Sequence, residues 1–150
     1  MMKTLVVYDS LHGNTEKVAR SIGDAIAGEV RVLRSGEVKE TDLEALDLLI
    51  VGAPTHGGRP MPATREFLDG IQKSALDGVS VAAFDTRLAN IWARLFGFAA
   101  PRIARKLKSK GGTLIGSHEG FFVEGGKGPL SEGELERAAS WAQELVESMG

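Results

Sequence analysis

The chain has 150 residues, 43% of them apolar and 25% charged, with a formal net charge of −2 and no cysteine. That length can bury one core, so a single domain over 1–150 is expected, and the missing cysteines exclude disulfides, thiolate nucleophiles and Cys-ligated metals. The near-neutral charge argues against general nucleic-acid binding, and no apolar run is long enough to span a membrane or is patterned like a secretory leader, which leaves a cytoplasmic protein as the expectation.

Lys3–Tyr8 reads as an apolar strand running into the polar loop Asp9-Ser10-Leu11-His12-Gly13-Asn14-Thr15. A helix over about Thr15–Ala27 follows, with Val18, Ala19, Ile22, Ala25 and Ile26 on one stripe. A helix start leaves backbone N–H groups unpaired and carries a partial positive charge, so small hydroxyl and amide residues placed there form a phosphate cradle. Ser10, His12, Asn14 and Thr15 can each hydrogen-bond phosphate oxygens, and Gly13 lets the backbone come close. The loop holds no Lys or Arg, so the donors are neutral. Ser10 and Thr15 have a second reading as plain helix caps.

The same loop rules out other phosphate chemistries. It lacks the Lys of a Walker A loop and the glycine triplet of a dinucleotide fingerprint. The third strand ends in Gly52-Ala53-Pro54, with no Asp to accept a phosphoryl group, and a phosphatase cysteine is absent from the chain.

Glu29–Arg34 alternates polar and apolar residues, as an edge strand does. Leu46–Gly52 is a continuous apolar run and should be central. The loop after it, 52–62, sets the pair Gly57-Gly58 among three prolines, and Pro62 suits the first turn of a helix over 62–71. Val79–Phe84 is a fourth strand, followed by the loop Asp85-Thr86-Arg87. A third helix lies within Leu88–Lys110, where Pro101 should break or kink it. Trp92, at helical spacing from Phe96, has two readings, core residue or ring stack. Thr113 opens a fifth strand disturbed by glycines, with Phe121-Phe122-Val123 as its second part. Ser131-Glu132-Gly133-Glu134 matches a capping box, so the last helix should start at Ser131 and bury Leu135, Ala138, Ala139, Ala142, Val146 and Met149.

Strands alternating with amphipathic helices predict an α/β fold, a doubly wound five-stranded parallel sheet in the order 2-1-3-4-5 with helices on both faces. In that order the chain reverses direction between strands 1 and 3, and ligands bind at the carboxyl ends of the strands there. The two most unusual loops, 9–15 and 52–62, follow those strands.

Ser10-Leu11-His12-Gly13-Asn14-Thr15 fits the phosphate loop of the flavodoxin family, Thr/Ser-x-x-Gly-x-Thr, and Pro54-Thr55-His56-Gly57-Gly58 resembles its flavin-ring loop. The chain resembles that family over nearly its whole length, 3–148. The resemblance implies FMN, with its phosphate on 10–15 and its ring between 54–58 and Asp85, Thr86 and Arg87. Either Gly57 or Gly58, with Gly57 favoured, would supply a peptide that turns over beside the ring. Asp85 has a second reading as a cap for the next helix, and Arg87 as a free surface charge. His118 has no clear assignment.

Between Thr86 and His118 stand seven basic residues and no acidic one, whereas Glu119 onward holds seven acidic and two basic residues. The segment Arg87–Lys110 is either a solvated face or a docking surface for an acidic redox partner. The function implied is an FMN-binding protein transferring electrons between a reductase and an acceptor protein. The alternative is an FMN-dependent NAD(P)H:quinone-type reductase acting on a small molecule.

Overall fold

The computed structural model describes residues 1–56, 58–89 and 97–150. Its sheet is parallel throughout and runs β2-β1-β3-β4, with β4 flanked on its far side by two short strands. The strands are β1 (Lys3–Tyr8), β2 (Glu29–Arg34), β3 (Leu48–Pro54), β4 (Ser80–Leu88), β5 (Thr113–Leu114) and β6 (Glu119–Val123). Between them come helices α1 (Asn14–Asp24), α2 (Pro62–Gly70), α3 (Ala99–Ser109) and α4 (Glu134–Ser148). β5 pairs with the start of β4 through Ser80 and Val81, and β6 with its end through Phe84–Leu88. They are the two halves of the split fifth strand, so the order 2-1-3-4-5 stands and β2 is the edge.

Strand periodicity divides the core. Leu5, Val7, Leu49, Val51, Val81 and Ala83 face α2 and α3, where Leu68, Ile103 and Leu107 meet them. Val6, Tyr8, Ile50, Ala82 and Phe84 face α1 and α4, against Val18, Ile22, Trp141 and Leu145. On that second face Phe84, Phe121 and Trp141 pack edge to face, with centroids 6.0–6.2 Å apart. The Phe84 ring lies over Gly52, where a Cβ would fall 2.1 Å from the ring.

Several boundaries differ from the sequence reading. α1 begins at Asn14 and ends at Asp24, although Ile26 beyond it is still in the core. β3 starts at Leu48 and runs through Gly52 and Ala53 to Pro54, which pairs with Thr86. β4 does not end at Phe84: the expected loop Asp85-Thr86-Arg87 is strand, because β3 and β6 both continue beside it. α2 stops at Gly70. Pro101 neither breaks nor kinks a helix. It sits in the first turn of α3, where its missing N–H has no partner to lose. Trp92, Phe96 and Arg94 lie outside the described residues.

The capping box is also overturned. α4 starts at Glu134 behind Gly133, whose φ is +83°, and no side chain caps it. The Glu134 carboxylate is already engaged, accepting the Phe122 N–H at 2.7 Å and pairing with Arg137. The buried face of α4 carries Ala138, Trp141, Ala142 and Leu145, while Leu135 is exposed and Ala139, Val146 and Met149 are only half-buried.

Candidate functional site

The carboxyl ends of β1, β3 and β4 lie side by side, with Tyr8 opposite Gly52 and Gly52 opposite Phe84. The chain leaving β1 is pinned at once. The Asp9 N–H donates to the Gly52 carbonyl, and the buried Thr64 hydroxyl donates to Asp9 Oδ2 at 2.6 Å. Ser10 Oγ then accepts the Gly13 N–H at 3.0 Å and closes the turn.

Gly13 is the N-cap of α1 with φ +89°, in the left-handed region, and no side chain caps the helix. A Cβ on Gly13 would meet nothing within 4 Å, so it is the backbone conformation that calls for glycine, not lack of room. The reading of Ser10 and Thr15 as caps of α1 is thereby removed. Thr15 turns instead across the strand ends to Thr86, their hydroxyl oxygens 2.8 Å apart, and both residues are buried. Two hydroxyls carry two protons and their mutual bond uses one, so one O–H remains to donate.

A cavity of about 330 Å³ opens beside this pair. It is lined by Ser10, Leu11, His12, Asn14 and Thr15 from the loop after β1 and the start of α1, by Pro54, Thr55 and His56 from the end of β3 and the loop after it, and by Thr86, Arg87 and Leu88 from the end of β4. Ten of the residues singled out in the sequence thus come together. Leu88, Val123 and Gly126 also line it and were not anticipated. Val123 follows from extending the fifth strand past the aromatic pair, and Gly126 belongs to the glycine-rich turn that Asn14 ties down by donating to the Lys127 carbonyl at 3.2 Å. A larger cavity of about 420 Å³ lies beside Leu46 and Ile71, away from the carboxyl ends of β1, β3 and β4.

Gly13, Gly58 and Asp85 do not line the cavity, and Gly57 lies outside the described residues. Gly58 has φ +79° in a tight turn closed by His56 N–H to Arg59 carbonyl, 2.8 Å, and the reverse bond, 3.1 Å. Asp85 is fully buried and points to the α3 side of the sheet, where Oδ2 accepts the Ala100 N–H at 2.8 Å. Its helix-capping reading is the observed one. Arg87 is no free surface charge: Nε and Nη2 meet the two Asp85 oxygens at 2.7 and 2.8 Å, and its guanidinium lies 3.6 Å from the Phe98 ring centroid. The pairing leaves a cation at the cavity wall that is locked and largely neutralised. Behind the loop, burial and then Glu16 push the Tyr8 hydroxyl up from its ordinary value, so it stays protonated.

The cavity therefore offers neutral hydroxyl and amide donors, an uncapped helix start and one compensated guanidinium. That set suits a dianionic phosphate bearing a flat polar ring. Among the described residues no helix is long and apolar enough to cross a membrane.

Comparison with known proteins agrees with this fold. The profile of the family described as Flavodoxin domain matches residues 5–113. Flavodoxin 1 of Escherichia coli strain K12 is 24% identical over 99% of this chain and 96% of its own. The crystal structure of oxidised Flavodoxin 2 from Bacillus cereus superposes with a TM-score of 0.81 at 26% identity, covering 97% of this chain and 98% of that one. A flavodoxin from the domain Archaea superposes at 0.79 with 23% identity, covering 99% of each chain.

Proposed function

The chain belongs to the flavodoxin domain family, and from that premise we propose that it is a carrier that binds one FMN at the strand ends and passes electrons between redox proteins. FMN, when bound, supplies the one- and two-electron chemistry of its ring. The protein's residues bind and orient it. Ser10, His12, Asn14 and Thr15, with the first-turn amides of α1, are assigned to the phosphate. Pro54, Thr55, His56 and Gly57-Gly58 are assigned to one side of the ring, and Thr86 and Arg87 to the other. Leu11 and Leu88, both exposed, form an apolar rim at the cavity mouth. Asp85 acts from behind, holding Arg87 in place.

The observation that carries this reading is the paired end of the cradle: an uncapped α1 beside a buried hydroxyl pair with one O–H to give. Hydrogen bonds to a charged group contribute roughly 1.5–3 kcal/mol each. The test is fluorescence titration of the apoprotein with FMN and with riboflavin. FMN is expected to bind more tightly by about tenfold or more, and Thr15→Val to weaken FMN by about tenfold without changing riboflavin affinity. Equal affinities for the two flavins would remove the phosphate assignment. Steady oxidation of NADPH with a quinone by the FMN-loaded protein alone would replace the carrier with a quinone-type reductase.

A further inference from the structure

The arginines divide by position. Arg20, Arg31, Arg34, Arg87 and Arg137 each pair with a carboxylate. Among the described residues Arg59, Arg65, Arg102 and Arg105 pair with none, and all four lie on the 56–60 turn, α2 or α3. Three of these, with Lys106, wall a cleft of about 190 Å³ floored by Pro60 and Leu68.

One carboxylate, Asp69, faces the four cations, and it is already taken. Lys106 Nζ stands 2.7 Å from it and holds its carboxyl below the usual range, first by that hydrogen bond and then by its charge. Arg102 donates Nε–H to the Gly58 carbonyl at 2.9 Å, and its remaining N–H groups have no partner among the described residues. Crowding guanidinium groups costs electrostatic free energy, and among the described residues Arg59 and Arg65 make no salt bridge, with only the charge of Asp69 acting on Arg65 from a distance. Arg59, Arg65 and Arg102 are exposed rather than enclosed. A pocket built for a small anion would bury its donors; this one presents them outward, as an association surface does. Its upper edge is the 56–60 turn, whose His56 lines the cavity at the strand ends.

We propose that this cleft is the docking point for a carboxylate-rich surface of a redox partner protein. The inference rests on the carrier reading and narrows the docking region from a whole basic segment to Arg59, Arg65, Arg102 and Lys106. Arg59 and Arg65 enter it through the fold alone, since they lie outside that segment in sequence. Guanidinium forks take carboxylates in bidentate fashion, and clustered charge draws the partner in from beyond contact distance. A partner seated here touches the turn that borders the cofactor cavity.

The probe is dye-labelled heptaglutamate, followed by fluorescence anisotropy with the full chain. Arg59→Glu with Arg65→Glu is compared with Lys17→Glu plus Lys73→Glu, which changes net charge equally at exposed sites elsewhere. Heptaglutamate affinity is expected to fall by about tenfold or more in the arginine pair, by less than about twofold in the lysine pair, and steeply with added salt. Equal loss in both pairs, or no binding at low salt, overturns the proposal. So does displacement of the probe by inorganic phosphate at equal concentration, which would make the cleft a small-anion site. FMN affinity, measured in parallel, is expected to be unchanged in the arginine pair. A chain that takes no FMN defeats the carrier reading by itself, whatever heptaglutamate does.

Discussion

At α3 the first turn is closed by the protein itself. Thr55 Oγ1 accepts the Ala99 N–H at 3.0 Å and Asp85 Oδ2 the Ala100 N–H at 2.8 Å. At α1, which starts from the same end of the sheet, the N-cap is a left-handed glycine and no side chain caps the first-turn amides. Both helix starts carry the same partial positive charge. One is neutralised internally by an aspartate and a threonine; the other is left with neutral donors around a cavity. The contrast leaves the first-turn amides of α1 without side-chain acceptors and gives those of α3 two. It also explains why Asp85 and Thr86, adjacent in sequence, do different things. Strand alternation turns Asp85 toward α3 and Thr86 toward α1.

The sharpest way to break this contrast is Asp85→Ala. It uncaps α3 and leaves Arg87 without its carboxylate, so a loss of about 3 kcal/mol is expected in urea denaturation of the apoprotein. A loss under about 1 kcal/mol together with tenfold weaker FMN binding would instead make Asp85 a ligand.

A milder test uses α4, whose N-cap is also a left-handed glycine without a side-chain cap, and whose first residue, Glu134, turns to a strand backbone instead. Arg137, and then the Phe122 N–H, hold the Glu134 carboxyl below its ordinary value. A carboxyl lowered in the folded state stabilises above its unfolded pKa, and that stabilisation disappears as pH falls through the folded value. Glu134→Gln is expected to cost about 1.5 kcal/mol at pH 7 and to flatten the loss of stability below about pH 4.5, read from thermal melts across the acid range. Identical acid limbs in the two proteins would show that Glu134 contributes nothing there.

The smallest effect belongs to Thr55→Val, which removes one of the two caps of α3. A cost of about 1 kcal/mol is expected in the same denaturation assay. Thr55 also lines the cavity, so comparing its effects on stability and on FMN affinity separates the two roles.

The sequence carried the alternation of elements, the edge position of β2, the split fifth strand and most of the cavity wall. Those follow from local periodicity and from turn chemistry, which short windows record. What it hid came from long-range pairing. Asp85-Thr86-Arg87 looks like a loop because it is polar, yet β3 and β6 extend beside it and Arg87 answers Asp85 within the strand. Ser131 and Glu134 match a capping box, but Glu134 is drawn to a strand backbone a dozen residues away. Trp141 lies on a buried face turned one position around α4 from the stripe that Leu135, Ala139 and Val146 suggest. The cation cleft could not be seen either, since Arg59 and Arg65 join Arg102 only when α2 packs beside α3.

Gly52 and Phe84 sit opposite each other in the central pair of strands, and the aromatic ring occupies the volume that any larger residue at 52 would need. The two positions are therefore not independently variable. Enlarging Gly52 alone drives a side chain into a fully buried ring, and shrinking Phe84 alone leaves a hole among Phe121 and Trp141. A route from this pair to a different one must pass through one of those defects or change both positions at once, so their substitution energies cannot add. Any redesign of the cavity that adds bulk near the end of β3 meets this pair two residues before Pro54 on the cavity wall.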